Sequence, residues 1–453
     1  MERKRTFFPK FRTLFLWTFL FLFLLLFRCV PFGTPLGHWT YDYTRGIDAV
    51  TILRIVLVSA LFSLGLHVSE KFLQKHERFV IGAWLLAGFI CTGKLVQWYF
   101  PPLSDILRHP GINPFLPIAE TYGFSQSLAR FSSYASSAPV HVWANMPGKI
   151  LYFALLLPIS HSPIILGCIT LFLSTTVTGL LIYVFAKNYF YNTLVGFYAL
   201  LFYLLIPARI AFSPLLNTIT PLFLFFSLVS LQWYFSKKRW YYGALSGFGI
   251  FLMLLFDPLS LSAGLFHILI ILRALIQKTA SIKEVVRFLI LSSFSFLIFS
   301  VITIFPGHFN PFIWFIVIAR NAAQFNPSVG RNYGIWLIQN PIDFFVGAGF
   351  FPSILFISSC ISILHLFKNT KKYILKPDIA MTVTTLLTLV VLILLGINRG
   401  EVTRLWIFLM PFVQVSGASS LKHFSPVWKR CAVYATLIAQ SILMVHMVSF
   451  IHF

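Results

Sequence analysis

The chain has 453 residues, of which 58% are hydrophobic, 18% aromatic and only 10% charged. Soluble globular domains carry about 25% charged residues, so this composition excludes a soluble protein and indicates that lipid is the main solvent. A net charge of +23 would indicate a nucleic-acid partner in a soluble protein. In a membrane protein it marks cytoplasmic loops, and we expect no nucleic acid among the partners.

Apolar runs of the length that a transmembrane helix needs, about 20 residues, recur from residue 11 to the C-terminus. The first run is long for a signal peptide and no small-residue cleavage site follows it, so we expect a retained helix. The predicted fold is all-α, one integral membrane domain over residues 1–453 with about thirteen transmembrane helices. The predicted spans are residues 11–30, 51–68, 79–98, 164–186, 190–210, 213–235, 240–256, 259–276, 286–306, 343–366, 378–397, 404–420 and 430–450.

Basic residues predict the orientation of these spans. Seven basic clusters hold 23 of the 35 Lys and Arg residues, and an even number of predicted spans separates each cluster from the next. Because cytoplasmic loops collect Lys and Arg, we expect a multi-pass protein of the cell membrane with a cytoplasmic N-terminus. The odd number of spans then places the C-terminus outside the cytoplasm. The five Cys residues fall in or beside apolar runs without metal-ligand spacing, which indicates packing.

Two predicted extracytoplasmic loops, residues 100–162 and 306–342, are too long to be simple connections, and loops of this size often carry function. Both contain short amphipathic stretches, Ser125–Tyr134 and Phe312–Ala322, which favour helices at the membrane interface. Residues 149–162 are apolar but short, and the sequence leaves open whether they cross the membrane. No internal repeat is evident, nor are broken helices in paired positions.

Acidic residues on the predicted outer side are few, so each is a candidate for chemistry. Asp42, in GHWTYDYTRGID, is a candidate general base or metal ligand, or else a turn residue paired with Arg45. Asp105 and Glu120 lie in the first large loop and are further candidates. Asp48 is expected to cap a helix, and Asp257, in an Asp-Pro pair, is expected to form a turn.

Outward-facing cations and amides form a second set of candidates. His141, Asn145 and Lys149 lie in HVWANMPGK, a loop-to-helix junction that suits an anionic group or is simply a helix entry. The segment NRGEVTRLWIFLMP contains Arg399, Glu401 and Arg404, which suit a lipid-linked phosphate or form a structural ion-pair cluster. Arg320 and Arg331, in the second large loop, either line the same site or reach the membrane interface. The complete set of predicted substrate-binding residues is Glu120, His141, Asn145, Lys149, Arg331, Arg399, Glu401 and Arg404.

Three of these features together resemble the glycosyltransferase-C superfamily, which includes dolichyl-phosphate-mannose-protein mannosyltransferases and aminoarabinose transferases. They are the acid soon after helix one, the HVWANMPGK junction, similar to the family's His-Pro-Pro-Gly or His-x-Pro-Gly, and RGEVTRLWIFLMP. The resemblance implies transfer of a sugar from a polyprenyl-phosphate donor to a lipid or glycan acceptor on the extracytoplasmic side, with membrane lipids as partners. It implies that Asp42 is the catalytic acid, although Tyr43 follows where Glu is common, which keeps Asp105 as its rival. Arg399 and Arg404, with Lys149, would stabilise the leaving phosphate.

Two other functions fit the same sequence. One is a flippase or transporter for a lipid-linked sugar, which predicts ionisable groups near mid-membrane and broken helices. The other is a polysaccharide polymerase or ligase, which a long outer loop late in the chain favours. Any metal is unknown from the sequence; a divalent cation is compatible with the acids but would need ligands that the fold brings together.

Overall fold

The computed structural model describes residues 11–367 and 376–451, which are almost entirely helical. The helices and strands of the first part are α1 Phe11–Leu26, β1 Gly33–Thr34, β2 Trp39–Thr40, α2 Ala49–Phe72, α3 Glu77–Tyr99, α4 Leu103–Arg108, α5 Phe115–Ala129, α6 Phe131–Tyr134, α7 Val140–Trp143 and α8 Gly148–Leu156. The middle part contains α9 Pro163–Phe172, α10 Thr178–Phe190, α11 Thr193–Leu204, α12 Pro207–Ala211, α13 Thr220–Lys237, α14 Trp240–Phe256, α15 Gly264–Ile276 and α16 Ile282–Ile304. The last part contains α17 Pro311–Ser328, α18 Tyr333–Ala348, α19 Phe350–Phe367, α20 Pro377–Leu395, α21 Val402–Leu405, α22 Met410–Leu421 and α23 Val427–Met447.

Eight helical stretches in the described part of the chain are long and apolar enough to cross a membrane. They are α2, α3, α9 with α10 through a π-helical turn, α13 and α15 each with a preceding 3-10 turn, α16, α20 and α23. In α2, only 11% of the most apolar 18-residue stretch is buried by the rest of the protein, and in α16 only 28%. Apolar faces exposed to this extent need lipid, so the architecture is that of an all-α multi-pass membrane protein.

The predicted number of thirteen spans is not confirmed. The apolar helices α1, α11 and α14 are shorter than the eight candidates, and α8, at nine residues, is only about 14 Å long. Two predicted spans, 190–210 and 404–420, are each divided into two shorter helices. The first division precedes Pro207 and the second precedes Pro411, and both prolines begin a helix where no intrahelical N–H bond is lost.

The predicted continuous helix over residues 343–366 is wrong. The chain instead forms α18 and α19, whose axes differ by 120°. Gly349 separates them with φ 104°, a conformation that side chains disfavour. A backbone break inside a membrane bundle leaves polar groups that must find other partners.

Two buried glutamines supply those partners. Gln440 of α23 accepts a hydrogen bond from the Phe350 N–H at 2.8 Å and donates one to the Val346 carbonyl at 2.9 Å. Gln414 of α22 donates to the Ala348 carbonyl. The bend is therefore fixed by side chains from two neighbouring helices.

Replacing Gln440 with leucine should lower the free energy of unfolding by about 1–3 kcal/mol, because the Phe350 N–H and Val346 carbonyl would be buried without partners. Thermal unfolding of the purified protein in detergent measures this as a lower Tm. Gln97→Leu is the matched control, since Gln97 is exposed and should change little. Equal Tm values for the two variants would contradict the role of Gln440.

The centre of the bundle consists of helices that are surrounded by other helices on all sides. Every residue of α22 is buried, as is every residue from Val195 to Leu204 of α11. Beside them lies Arg209, fully buried, which donates to the Thr175 and Thr92 hydroxyls at 2.8 and 3.1 Å and to the Tyr203 and Leu204 carbonyls at 3.3 and 2.5 Å. Its position links the π-helical turn, α3 and the division between α11 and α12.

The six ion pairs among the described residues fall into two groups, according to the predicted side of the membrane. Three join residues near loops that the sequence predicts to be cytoplasmic, namely Lys187–Glu77, Lys238–Glu284 and Arg430–Glu70. The other three join residues of loops predicted on the opposite side, namely Arg108–Glu120, Arg331–Glu401 and Arg404–Glu401. No pair mixes the two groups, so the fold is compatible with the predicted alternation of loops.

Candidate functional site

The loop between α20 and α21, residues 396–401, carries the charged segment, and buried asparagines hold it in place. Asn326 donates to the Ile397 carbonyl at 2.7 Å. Asn340 donates to the Asn398 carbonyl at 2.8 Å and accepts from the Gly400 N–H at 3.2 Å. Because α17 and α18 supply these amides, residues of the second large loop fix the backbone of the loop 396–401.

Glu401 lies at the centre of the site. Its carboxylate accepts from Arg331 at 3.1 Å and from Arg404, and the side-chain exposures of Glu401, Arg331 and Arg404 are 12%, 6% and 15%. Burial acts to raise the pKa of Glu401, but Arg404, Arg331 and His141 outweigh it and hold this pKa below its usual range. The backbone of Glu401 has φ 58°, which is uncommon for a residue with a side chain. This conformation, directly before the start of α21, sets the direction of the Glu401 carboxylate.

The HVWANMPGK junction reaches the same place. Asn145 donates to the His141 carbonyl at 2.8 Å and accepts from Lys149 Nζ at 2.8 Å, so the spacing of four residues links the three predicted candidates in a chain. Arg404 lies within electrostatic range of both His141 and Lys149. We call His141, Lys149, Arg331, Glu401 and Arg404 the Glu401 cluster.

The protonation states within the Glu401 cluster differ. Burial, followed by the charge of Arg404, lowers the pKa of His141 to about 4, so this imidazole is neutral near pH 7. Burial also lowers the pKa of Lys149 to about 8, while Asp257 acts to raise it and Arg404 to lower it. Lys149 is therefore the member of the cluster whose charge changes just above neutral pH.

The hairpin of β1 and β2 closes one side of the cluster. The Arg331 guanidinium lies 5.0 Å from the centre of the Trp39 ring. Tyr41 is buried within electrostatic range of Glu401 and Arg404, and burial raises the pKa of its hydroxyl. The Gly33 N–H donates to Asp343 on α18 at 3.1 Å, which ties the hairpin to the same helix that positions the charged loop.

The two predicted catalytic acids lie outside these contacts. Asp42 is exposed, whereas its neighbour Tyr41 is buried, and it accepts from the Thr40 hydroxyl at 3.3 Å. Asp105, on α4, is also exposed and accepts from Ser104 at 3.0 Å. Both carboxylates are open to an incoming hydroxyl group, but neither has a described bond to the Glu401 cluster.

The remaining predicted binding residues have other partners. Glu120 forms an exposed ion pair with Arg108 at 2.8 Å. Arg399 donates to the Arg331 and Gly396 carbonyls at 2.9 and 3.2 Å, so its guanidinium holds the loop together rather than facing the cluster. Arg320 is exposed on α17.

Sequence reasoning missed three residues that border the site. Trp39 and Tyr41 belong to an alternating aromatic pattern, Trp39, Tyr41 and Tyr43, which is a signal for a strand with one aromatic face. Asp257, expected only to form a turn, lies within electrostatic range of Lys149, and burial raises its pKa. Its Oδ2 accepts from Thr220 at 3.1 Å.

Comparison with known proteins gives no relative. No known protein-family model matches the chain, and a search of the curated proteins finds no match. Among the described residues, no group of three or more His, Cys, Asp and Glu side chains is placed to hold a metal ion. The chemistry of the site therefore has to be argued from its own cationic and hydrogen-bonding groups.

Those groups suit an anion. Arg331, Arg404 and protonated Lys149 bring three positive charges, against the two carboxyl groups of Glu401 and Asp257. The Nε atoms of Arg331 and Arg404 are buried without a hydrogen-bond partner, so these guanidiniums have donor capacity that the protein does not use. Planar guanidinium groups bind phosphate and carboxylate through two parallel hydrogen bonds. The arrangement can thus bind a phosphate and stabilise charge that develops on it.

Proposed function

We propose that the protein is a membrane glycosyltransferase that moves a sugar from a polyprenyl-phosphate donor to a lipid or glycan acceptor on the extracytoplasmic face. The observation that supports it best is the convergence of Arg331 and Arg404 on the Glu401 carboxylate, with Lys149 within electrostatic range of Arg404, from three segments distant in sequence. In this proposal the N-terminus is cytoplasmic and the C-terminus is extracytoplasmic, so the Glu401 cluster faces outward.

The proposed reaction has simple requirements. The acceptor hydroxyl attacks the anomeric carbon, a new C–O bond forms, and the bond from that carbon to the lipid phosphate oxygen breaks. The bonding electron pair leaves with the phosphate, whose negative charge increases. The hydroxyl proton passes to a carboxylate base. Arg331, Arg404 and Lys149 would stabilise the leaving phosphate, and such groups act most strongly where water is excluded.

Asp42 and Asp105 remain the candidates for the base, because both carboxylates are exposed and face solvent. Each lies in a segment that reaches the Glu401 cluster: Asp42 follows Tyr41, which is within electrostatic range of Glu401 and Arg404, and Asp105 precedes Gly111. The backbone of Gly111, in the loop after α4, interacts with His141, which belongs to the Glu401 cluster. A divalent cation stays compatible with either acid if the donor supplies phosphate oxygens as ligands.

Two observations favour a flippase for lipid-linked sugars as the second candidate. The 120° bend between α18 and α19 is a broken helix, and Arg209 is a buried charge with no ion pair among the described residues. Both features occur in transporters. They occur here with several hydrogen bonds to neighbouring groups, which agrees better with a structural role. A polysaccharide polymerase or ligase would use the same outward cations.

The deciding experiment is transfer of radiolabelled sugar from polyprenyl-phosphate donors by the purified protein in liposomes. Wild type is compared with Asp42→Asn and Asp105→Asn, and Asp378→Asn serves as control because Asp378 is an exposed acid near the predicted cytoplasmic loops. Transfer that is lost in one of the first two variants and kept in the control identifies the base. If lipid-linked sugar moves across the liposome membrane and no sugar is transferred, the protein is a flippase and the transferase proposal is overturned.

The proposal makes Lys149 responsible for a loss of transfer at high pH. Its pKa of about 8 means that the ammonium is present below that pH and is lost as the pH rises through it. We expect the transfer rate to fall above pH 8 in the wild type, whereas Lys149→Arg should keep its rate to pH 9 because arginine stays charged. Rate profiles from pH 6 to 9.5 test this, and identical profiles would remove Lys149 from phosphate binding.

A further inference from the structure

A cavity of about 560 Å³ lies where α10, α13 and α15 end. We call it the Arg273 cavity. Its lining includes Tyr189, Tyr191, Trp233, Lys237, Lys238 and Arg273. It is far from the Glu401 cluster, because α13 separates them. Thr220 at the start of α13 bonds to Asp257 near Lys149, and Lys237 ends this helix of 18 residues, about 27 Å further on.

The charge of the Arg273 cavity is positive. Three basic residues line it and no acidic residue does. Lys238 is neutralised by an ion pair with Glu284 at 2.7 Å, and it also donates to the Thr279 carbonyl at 2.9 Å. Lys237 and Arg273 have no ion pair among the described residues. Asp378, which is not in the lining, lies within electrostatic range of Tyr189.

Arg273 is held in place and has donors to spare. Its Nη1 donates to the Tyr189 carbonyl at 2.6 Å, and its guanidinium lies 4.3 Å from the Tyr189 ring and 5.7 Å from the Tyr191 ring. Two aromatic rings and one carbonyl fix the orientation of a group with five N–H donors. Lys237 lies 4.5 Å from the Trp233 ring and donates only to the Tyr242 hydroxyl, at 3.2 Å.

The surroundings are those of a membrane interface. Each of the three helices ends there, and Tyr and Trp side chains combine apolar rings with polar tips that suit the headgroup region. A ligand for this cavity must therefore present an anionic group to Lys237 and Arg273 and tolerate aromatic walls. A phosphate esterified to a lipid meets both conditions, and anionic lipids are attracted to basic loops at the cytoplasmic surface.

We propose that the Arg273 cavity binds the phosphate of an anionic lipid headgroup, as a second site on the face opposite the Glu401 cluster. The phosphate accepts hydrogen bonds from Arg273 and Lys237, and the aromatic side chains contact the glycerol region. The site is independent of the proposed transferase reaction, since it stands on residues that no step of that reaction uses.

The test is isothermal titration calorimetry, which measures the Kd of the purified protein in a neutral detergent. The three ligands are dihexanoyl phosphatidic acid, dihexanoyl phosphatidylcholine and inorganic phosphate. Arg273→Gln and Lys237→Gln should each weaken phosphatidic acid binding about tenfold, the usual loss for one charge-assisted hydrogen bond. Lys283→Gln removes the same charge from an exposed position outside the cavity and should leave the Kd unchanged. Tm values of all variants verify folding.

The three ligands distinguish the sources of the phosphate. Phosphatidic acid that binds more tightly than both phosphatidylcholine and inorganic phosphate supports a lipid site. Inorganic phosphate that binds equally well, with the same loss in both cavity variants, overturns the lipid and leaves a free-phosphate site. Equal Kd values in the wild type, Lys237→Gln and Lys283→Gln overturn the proposal even if Arg273→Gln fails to fold.

Discussion

Replacing Arg404 with alanine should lower the rate of sugar transfer at least about 100-fold, which is the usual effect of removing one preorganised donor to a developing negative charge. Arg404 is the member of the Glu401 cluster that lies within electrostatic range of His141, Lys149 and Tyr41 as well as bonding to Glu401. Its loss therefore weakens the field of the whole site. The substitution also leaves Glu401 paired with Arg331, so the carboxylate keeps one of its two partners.

Radiolabelled transfer measured under saturating donor gives kcat for this comparison. Arg404→Lys should keep part of the rate because it retains the charge but loses the two-pronged geometry. Arg320→Ala is the matched control, since Arg320 is an exposed arginine of the second large loop. If Arg404→Ala transfers sugar as fast as Arg320→Ala, the Glu401 cluster is only an ion-pair cluster that holds the loop.

Replacing Arg209 with methionine should lower the free energy of unfolding by about 3 kcal/mol. Methionine is an unbranched apolar side chain with no donors, so the Thr175 and Thr92 hydroxyls and two backbone carbonyls lose a partner inside the bundle, and each unpaired group costs roughly 1–3 kcal/mol. The hydroxyls can turn to other acceptors, which keeps the total below the sum of the separate costs. The measurement is Tm in detergent, together with the yield of folded protein.

Two further variants make the result specific. Arg209→Lys keeps a positive charge but has a single nitrogen, which cannot reach four acceptors in different directions, and we expect it to be nearly as unstable. Arg287→Met removes an exposed arginine of α16 and should leave Tm unchanged. A stable Arg209→Met that no longer moves lipid-linked sugar would instead assign Arg209 to transport.

The all-α class could be predicted because apolar runs are a direct record of what faces lipid or the bundle interior. Helix breaks could not. Gly349 is one of 25 glycines, and what makes it a bend is the pair of glutamines, Gln414 and Gln440, which are distant in sequence. The partners of a broken backbone become visible only when the neighbouring helices are in place.

The candidate site was partly accessible for a related reason. Arg331, Glu401 and Arg404 stood out because charged residues are rare in this chain, and the fold brings them together as ion pairs. Tyr41 did not stand out, because it is one of 17 tyrosines, and only the short hairpin turns it toward the cluster while its neighbour Asp42 faces solvent. Charge can be read in a sequence, whereas direction depends on local geometry.

The complete burial of α22 has a consequence for the assembly of the protein in the membrane. This helix is 12 residues long, about 18 Å, which is well short of the hydrocarbon thickness of about 30 Å. It contains Gln414 and several serines, so it has little affinity for lipid by itself. It therefore has to be inserted against helices that cover it, chiefly α11 and α19, and both of these precede it in the chain.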